Sequence, residues 1–65
     1  MIVTVNDIEV RLFRGATLKH ALLKADDTLY HQVQRGEAQI QDYEGNLVGI
    51  NGAVANGWRY QVVKR

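Results

Sequence analysis

The chain contains no cysteine and no proline. Without cysteine there is no disulfide to staple 65 residues, no Cys-rich zinc site and no thiolate-held iron–sulfur cluster. Serine is absent too, so Thr4, Thr17 and Thr28 are the only aliphatic hydroxyls, and no nucleophile–base arrangement stands out. No run of 18 apolar residues occurs, and the first residues carry neither the basic nor the apolar region of a secretory signal. The expected setting is therefore cytoplasmic, away from the membrane. Neither sign of charge dominates: eight basic and seven acidic residues are interleaved, for a net charge of +1. That balance offers no electrostatic reason to expect a nucleic acid or an anionic membrane as partner.

What is present is 46% apolar residues in a chain long enough for one domain, residues 1–65. A chain of this size buries only about 60% of the surface its unfolded form exposes, so stability must come from a small, well-packed core.

Residues 2–5 alternate, with Val3 and Val5 on one face and Ile2 and Thr4 on the other. Asn6-Asp7 tolerates the positive φ of a two-residue hairpin turn. Ile8, Val10 and Leu12 then alternate with Glu9, Arg11 and Phe13, the period of a half-buried strand. Gly15 breaks the strand and Thr17 reads as the N-cap of a helix whose stripe is Leu18, Ala21, Leu22 and Ala25. Asp26-Asp27 ends that helix. Thr28 can cap a second short helix over 28–35, which Gly36 stops in the left-handed conformation.

Ala38 and Ile40 mark a third strand, 44–46 a turn, and 47–50 a short strand in which Gly49 suggests a bulge or a close backbone approach. Residues 51–57 read as a loop, and 58–63 (WRYQVV) as the last strand. With one helix of useful length, the expected architecture is α+β: a mixed sheet of four to five strands, one face covered by that helix. The other face carries Thr4, Glu9, Arg11, Gln39, Arg59 and Gln61.

V-T-V-N-D-x-E-V at 3–10, G-A-T-L at 15–18 with A-L-L at 21–23, and V-A-N-G-W-R-Y at 54–60 together resemble the β-grasp (ubiquitin-like) superfamily. The matches cover about half the chain, and it is their order and spacing that carry the likeness. The resemblance implies a β-grasp fold and several functional branches.

Small sulfur carriers of that superfamily act through a C-terminal Gly-Gly, whereas this sequence ends Val62-Val63-Lys64-Arg65. β-Grasp ferredoxins need four cysteines, of which there are none. Soluble-ligand-binding β-grasp domains, including the cobalamin-associated type, look similar from Leu47 to Tyr60. TGS-type regulatory domains share the G-x-T and the late glycine turn, but in the carrier and TGS branches an acidic residue follows that glycine, where Trp58 stands here.

Four residues are candidates for partner binding: Arg11, Phe13, Trp58 and Arg59. Trp58, the sole tryptophan, either anchors a partner at a sheet corner or caps the core beside Leu12 or Val54. Phe13 either forms a contact patch with Val63 on the polar face or folds under the first loop as the strand twists. Arg11, Arg14 and Arg59 form a basic strip only if the second and last strands lie close, and Glu9 offsets them.

His20 and His31 lie on different elements with no third ligand at metal spacing, and read as solvated surface residues; no metal or other cofactor is expected. Asp26-Asp27 and Glu37/Asp42/Glu44 could serve as paired carboxylates, but Asp-Asp after a helix is ordinary turn chemistry. Gly15 and the Asn-Gly pairs of 51–57 could cradle an anion, but no Lys and hydroxyl follow in register. The resulting expectation is a non-enzymatic β-grasp module that binds a protein partner. A sulfur-carrier-like protein without Gly-Gly, or a small-ligand-binding domain, is the alternative.

Overall fold

In a computed structural model describing residues 1–65, the chain opens with a hairpin, β1 (Ile2–Val5) and β2 (Ile8–Arg11). Asn6 and Asp7 sit at φ 49° and 67°, the pair of left-handed residues that a type I′ turn requires. The turn sets the antiparallel register Val5↔Ile8 and Val3↔Val10, which turns Val3, Val5 and Val10 into the core.

The helix α1 (Leu18–Ala25) follows, with Thr17 as N-cap. Leu18, Ala21 and Leu22 are fully buried, as the stripe predicts. Burial of each leucine contributes about 1.5–3 kcal/mol. The free amides of the first turn find carbonyls in a distant loop: Leu18 N–H donates to Gly52 O at 3.1 Å and Lys19 N–H to Ile50 O at 2.8 Å.

A second helix, α2 (Asp27–Gln34), has the same eight-residue length as α1. The second helix expected over 28–35 forms one residue earlier, and it differs from α1 in burial rather than length. No residue of α2 is fully buried, although Leu29, Tyr30 and Val33 pack against the core. Asp26, not Thr28, caps it: the Asp26 carboxylate accepts the Thr28 N–H at 3.0 Å. At the other end Gly36 at φ 79° closes a Schellman motif, Gly36 N–H to Val33 O and Glu37 N–H to Gln32 O.

Strands β3 (Ala38–Asp42) and β4 (Leu47–Val48) are joined by a turn held on the Asp42 carboxylate, which accepts the amides of Glu44 and Asn46, both at 2.9 Å. The last strand, β5 (Arg59–Lys64), starts one residue after Trp58. Sheet order is β2-β1-β5-β3-β4, with β1 and β5 parallel and every other neighbour antiparallel. Both helices lie on one face, over a core of Val3, Val5, Val10, Leu12, Ala16, Leu18, Ala21, Leu22, Ile40 and Tyr60. The fold is thus α+β, with a five-stranded mixed sheet.

Two asparagines extend the central ladder where backbone runs out. Past the hairpin, Asn6 N–H donates to Tyr60 O at 3.0 Å while its side-chain oxygen accepts Val62 N–H at 2.8 Å. At the start of β1, the Asn56 side-chain oxygen accepts Ile2 N–H at 2.8 Å, and Gly57 N–H donates to Ile2 O at 2.7 Å.

The close backbone approach expected at Gly49 belongs instead to Gly52. A Cβ at Gly49 would meet nothing within 4 Å, and β4 ends before it without a bulge. A Cβ at Gly52 would stand 3.0 Å from the Gly49 carbonyl oxygen and 3.7 Å from the Leu18 side chain. Gly52→Ala is therefore expected to cost about 1–2 kcal/mol, and Gly49→Ala to change stability by less than about 0.5 kcal/mol. Paired urea melts check this; equal midpoints for the two variants would remove the contact as a cause.

Candidate functional site

The face of the sheet opposite the helices is open. In register order it carries Glu9, Thr4 and Arg59 in one row across β2, β1 and β5, and Gln61, Gln41 and Leu47 in another across β5, β3 and β4. Arg11 and Ile2 form the row beside the first. Arg11 and Arg59 thus share a face, but β1 lies between their strands and Glu9 is in the row of Arg59. The condition for a basic strip, adjacency of the second and last strands, is not met.

Phe13 leaves this face altogether. Strand β2 ends at Arg11, and the chain then turns toward α1, where the Phe13 ring meets His20 edge-on at 5.0 Å. Phe13 remains 62% exposed, but on the helix side and not in a patch with Val63. The alternation that puts Phe13 beside Arg11 assumes two more residues of strand than the chain forms.

His20 does more than face solvent. Its Nδ1 accepts the Thr17 N–H at 3.0 Å, the return half of a capping box at the start of α1. His31 stands on α2 beside Tyr30, with ring centroids 5.4 Å apart. No group of three or more His, Cys, Asp or Glu side chains converges anywhere in the structure.

The glycine loop has its amides engaged: Gly52 N–H donates to Gly49 O, Gly57 N–H to Ile2 O and Trp58 N–H to Ala55 O. Those donors serve the loop and the sheet, and the anion cradle is not formed by them.

One corner gathers exposed aromatic surface. Tyr43, just after β3, and Trp58, just before β5, are 61% and 39% exposed, and their rings meet at 5.4 Å with planes 86° apart. The antiparallel pairing of β3 with β5, which ends at Asp42↔Tyr60, brings these two residues together. Trp58 also tilts over Tyr60, with centroids 6.3 Å apart, so one side of the indole rests on the core and the rest faces outward. With Gly57 and Arg59, these rings line the one cavity of the molecule, a shallow depression of about 460 Å³.

Each lining residue contributes differently: two π faces, a guanidinium, and the backbone of Gly57 at φ 85°. Two carboxylates flank Tyr43 in sequence: that of Asp42 is occupied by the turn amides, and that of Glu44 is exposed on the turn. Such a set can stack a planar or apolar group and pair an anion beside it. Tyr43 escapes sequence reading because it lies in a turn with no periodic signal. An exposed aromatic directly after a strand is the only hint the sequence holds.

Beneath this corner, Tyr60 is 1% exposed and its hydroxyl has no hydrogen-bond partner. Burial raises the Tyr60 pKa above the usual tyrosine value; the nearby Ala55 backbone lowers it somewhat and the Asp42 charge raises it. The Ala55 approach falls short of hydrogen-bond geometry, so the hydroxyl counts as unpaired.

No helix is long and apolar enough to cross a membrane. Comparison of the chain with known protein families, with curated proteins and with solved structures finds no match in any of the three.

Proposed function

We propose that this chain is a β-grasp interaction module without catalysis of its own, binding a protein partner through the Tyr43–Trp58–Arg59 corner. The β-grasp reading is supported by the strand order β2-β1-β5-β3-β4, with its parallel central pair and a helix following the first hairpin. The single observation that carries the binding reading is the partly exposed aromatic pair with Arg59 at its side.

Trp, Tyr and Arg are the residues over-represented among interface hot spots, because each presents large contact area or forked hydrogen bonding at low entropic cost. The depression is shallow and open, and suits a projecting side chain. A partner segment with an apolar or aromatic residue next to a carboxylate fits it, the ring seated on Trp58 and the carboxylate on Arg59.

The sole tryptophan makes the test direct. Immobilised peptide arrays would select segments, and Trp58 fluorescence would then measure their affinity. Arg59→Ala and Tyr43→Ala, both at exposed positions, are expected to weaken binding about tenfold or more. Selected peptides that bind both variants as tightly as the parent, or that perturb amides remote from this corner, would overturn the assignment. A small-ligand reading rests on the same depression. Quenching of Trp58 by cobalamin, haem or a nucleotide, with no peptide selected, would favour it instead.

A further inference from the structure

The first edge of the sheet carries a pattern that fits its own copy. Strand β2 is terminal in the sheet order, so one side of its backbone has no strand beside it. Which groups face that side follows from the ladder. Met1 and Leu12 exchange both bonds, Met1 N to Leu12 O at 2.8 Å and Leu12 N to Met1 O at 2.7 Å. Hydrogen-bonded pairs alternate along an antiparallel ladder, so Val10 and Ile8 also point their amides and carbonyls toward β1. The N–H and C=O groups of Glu9 and Arg11 therefore point outward, to the free edge.

We propose that this edge pairs with β2 of a second copy, antiparallel and centred on Val10, joining two sheets into one of ten strands. In that register Glu9 of each copy lies opposite Arg11 of the other as a hydrogen-bonded pair, and four backbone hydrogen bonds close across the two-fold axis. Both side chains stand on the open face, so each carboxylate meets a guanidinium directly across the strands. On the helix side, Ile8 (42% exposed) comes opposite Leu12 of the second copy, with exposed Phe13 beside them.

Charge complementarity selects this occupant. Edges guarded against self-pairing carry charges of one sign, which repel a second copy. Here Glu9 and Arg11 are of opposite sign and symmetric about Val10, so the two-fold pairing attracts at both positions. The other edge, β4, is only two residues long and offers no comparable ladder.

The test is sedimentation velocity from about 10 µM to about 1 mM, the range in which an interface smaller than ~1,200 Å² associates. The parent protein is expected to shift toward twice the monomer mass as concentration rises. Glu9→Arg alone, and Arg11→Glu alone, each place like charges opposite one another and are expected to weaken self-association about tenfold.

Two rescues are specific to this register. The double variant E9R/R11E should dimerise like the parent, and an equimolar mixture of the two single variants should form the mixed dimer. Amide spectra of each single variant check that the monomer stays folded. A parent that remains monomeric at about 1 mM, a dimer indifferent to either reversal, or failure of both rescues would overturn the proposal.

Discussion

Asn6→Ala is expected to lower stability by about 2–3 kcal/mol, the larger of the losses foreseen here. Two causes add. Alanine at φ 49° occupies left-handed backbone that asparagine tolerates through its short polar side chain. The lost side-chain oxygen also leaves the partly buried Val62 N–H without its 2.8 Å acceptor, at the point where β5 outruns β1.

A 65-residue domain has about 3–10 kcal/mol to lose in all, so the melting temperature should fall by roughly 8–20 °C. Asn6→Gly relieves the backbone but not the orphaned amide, and should lose about half as much. Asn6→Asp keeps both an oxygen acceptor and the left-handed tolerance, and should stay close to the parent. Thermal melts of the three variants separate the causes; an alanine variant as stable as the aspartate one would show that the ladder does not depend on this side chain.

Tyr60→Phe is expected to act in the opposite direction. Its hydroxyl is buried with no partner, and an unpaired buried hydroxyl costs about 1–3 kcal/mol. Removing it while keeping the ring between Trp58 and the core should raise stability by about 1 kcal/mol. The same substitution should change the response to alkali.

Folding raises the Tyr60 pKa, chiefly by burial, so the folded protein holds this proton more tightly than the unfolded chain. The sign follows: that contribution is complete below the unfolded pKa of about 10 and is lost as pH climbs from there through the folded value. Between those limits the loss approaches ~1.4 kcal/mol per pH unit from this group alone. Urea melts of parent and variant from pH 8 to pH 11 should therefore keep a constant offset up to about pH 10 and separate further above it, the variant falling less steeply. A phenylalanine variant less stable than the parent at neutral pH would reveal a hydroxyl partner that the unpaired geometry denies.

The local parts of the fold were legible in the sequence. Asn6-Asp7 between alternating valines specifies a hairpin because few residue pairs accept two consecutive positive φ values. Leu18, Ala21 and Leu22 specify the buried stripe of α1 because their spacing matches the helix period. The second helix was visible in part, displaced by a residue, because an Asp-Asp-Thr run offers several caps and only the geometry selects Asp26. Gly36 was legible for the same reason as the hairpin, a left-handed position that glycine fills at little cost.

The candidate site was less legible. Trp58 and Arg59 stood out as an aromatic and a cation at the start of a strand, yet Tyr43 did not, since its turn has no periodicity to set it apart. Phe13 was misplaced because strand alternation holds only while the strand continues, and nothing in Leu12-Phe13-Arg14 announces the turn toward α1. His20 hid its role because capping boxes are ordinarily recognised by glutamate or glutamine at that position.

By itself, then, the sequence determined the elements whose causes are local: a type I′ hairpin, a capped amphipathic helix, glycine stops, and a core drawn from one face of each. Tertiary structure alone decided which strands became neighbours. The parallel β1·β5 pair and the β3·β5 register depend on closing long loops over one small apolar core, a global balance that no short stretch encodes. The β3·β5 register joins Tyr43 to Trp58 with Arg59 beside them, and the strand order leaves the outward groups of β2 facing open space.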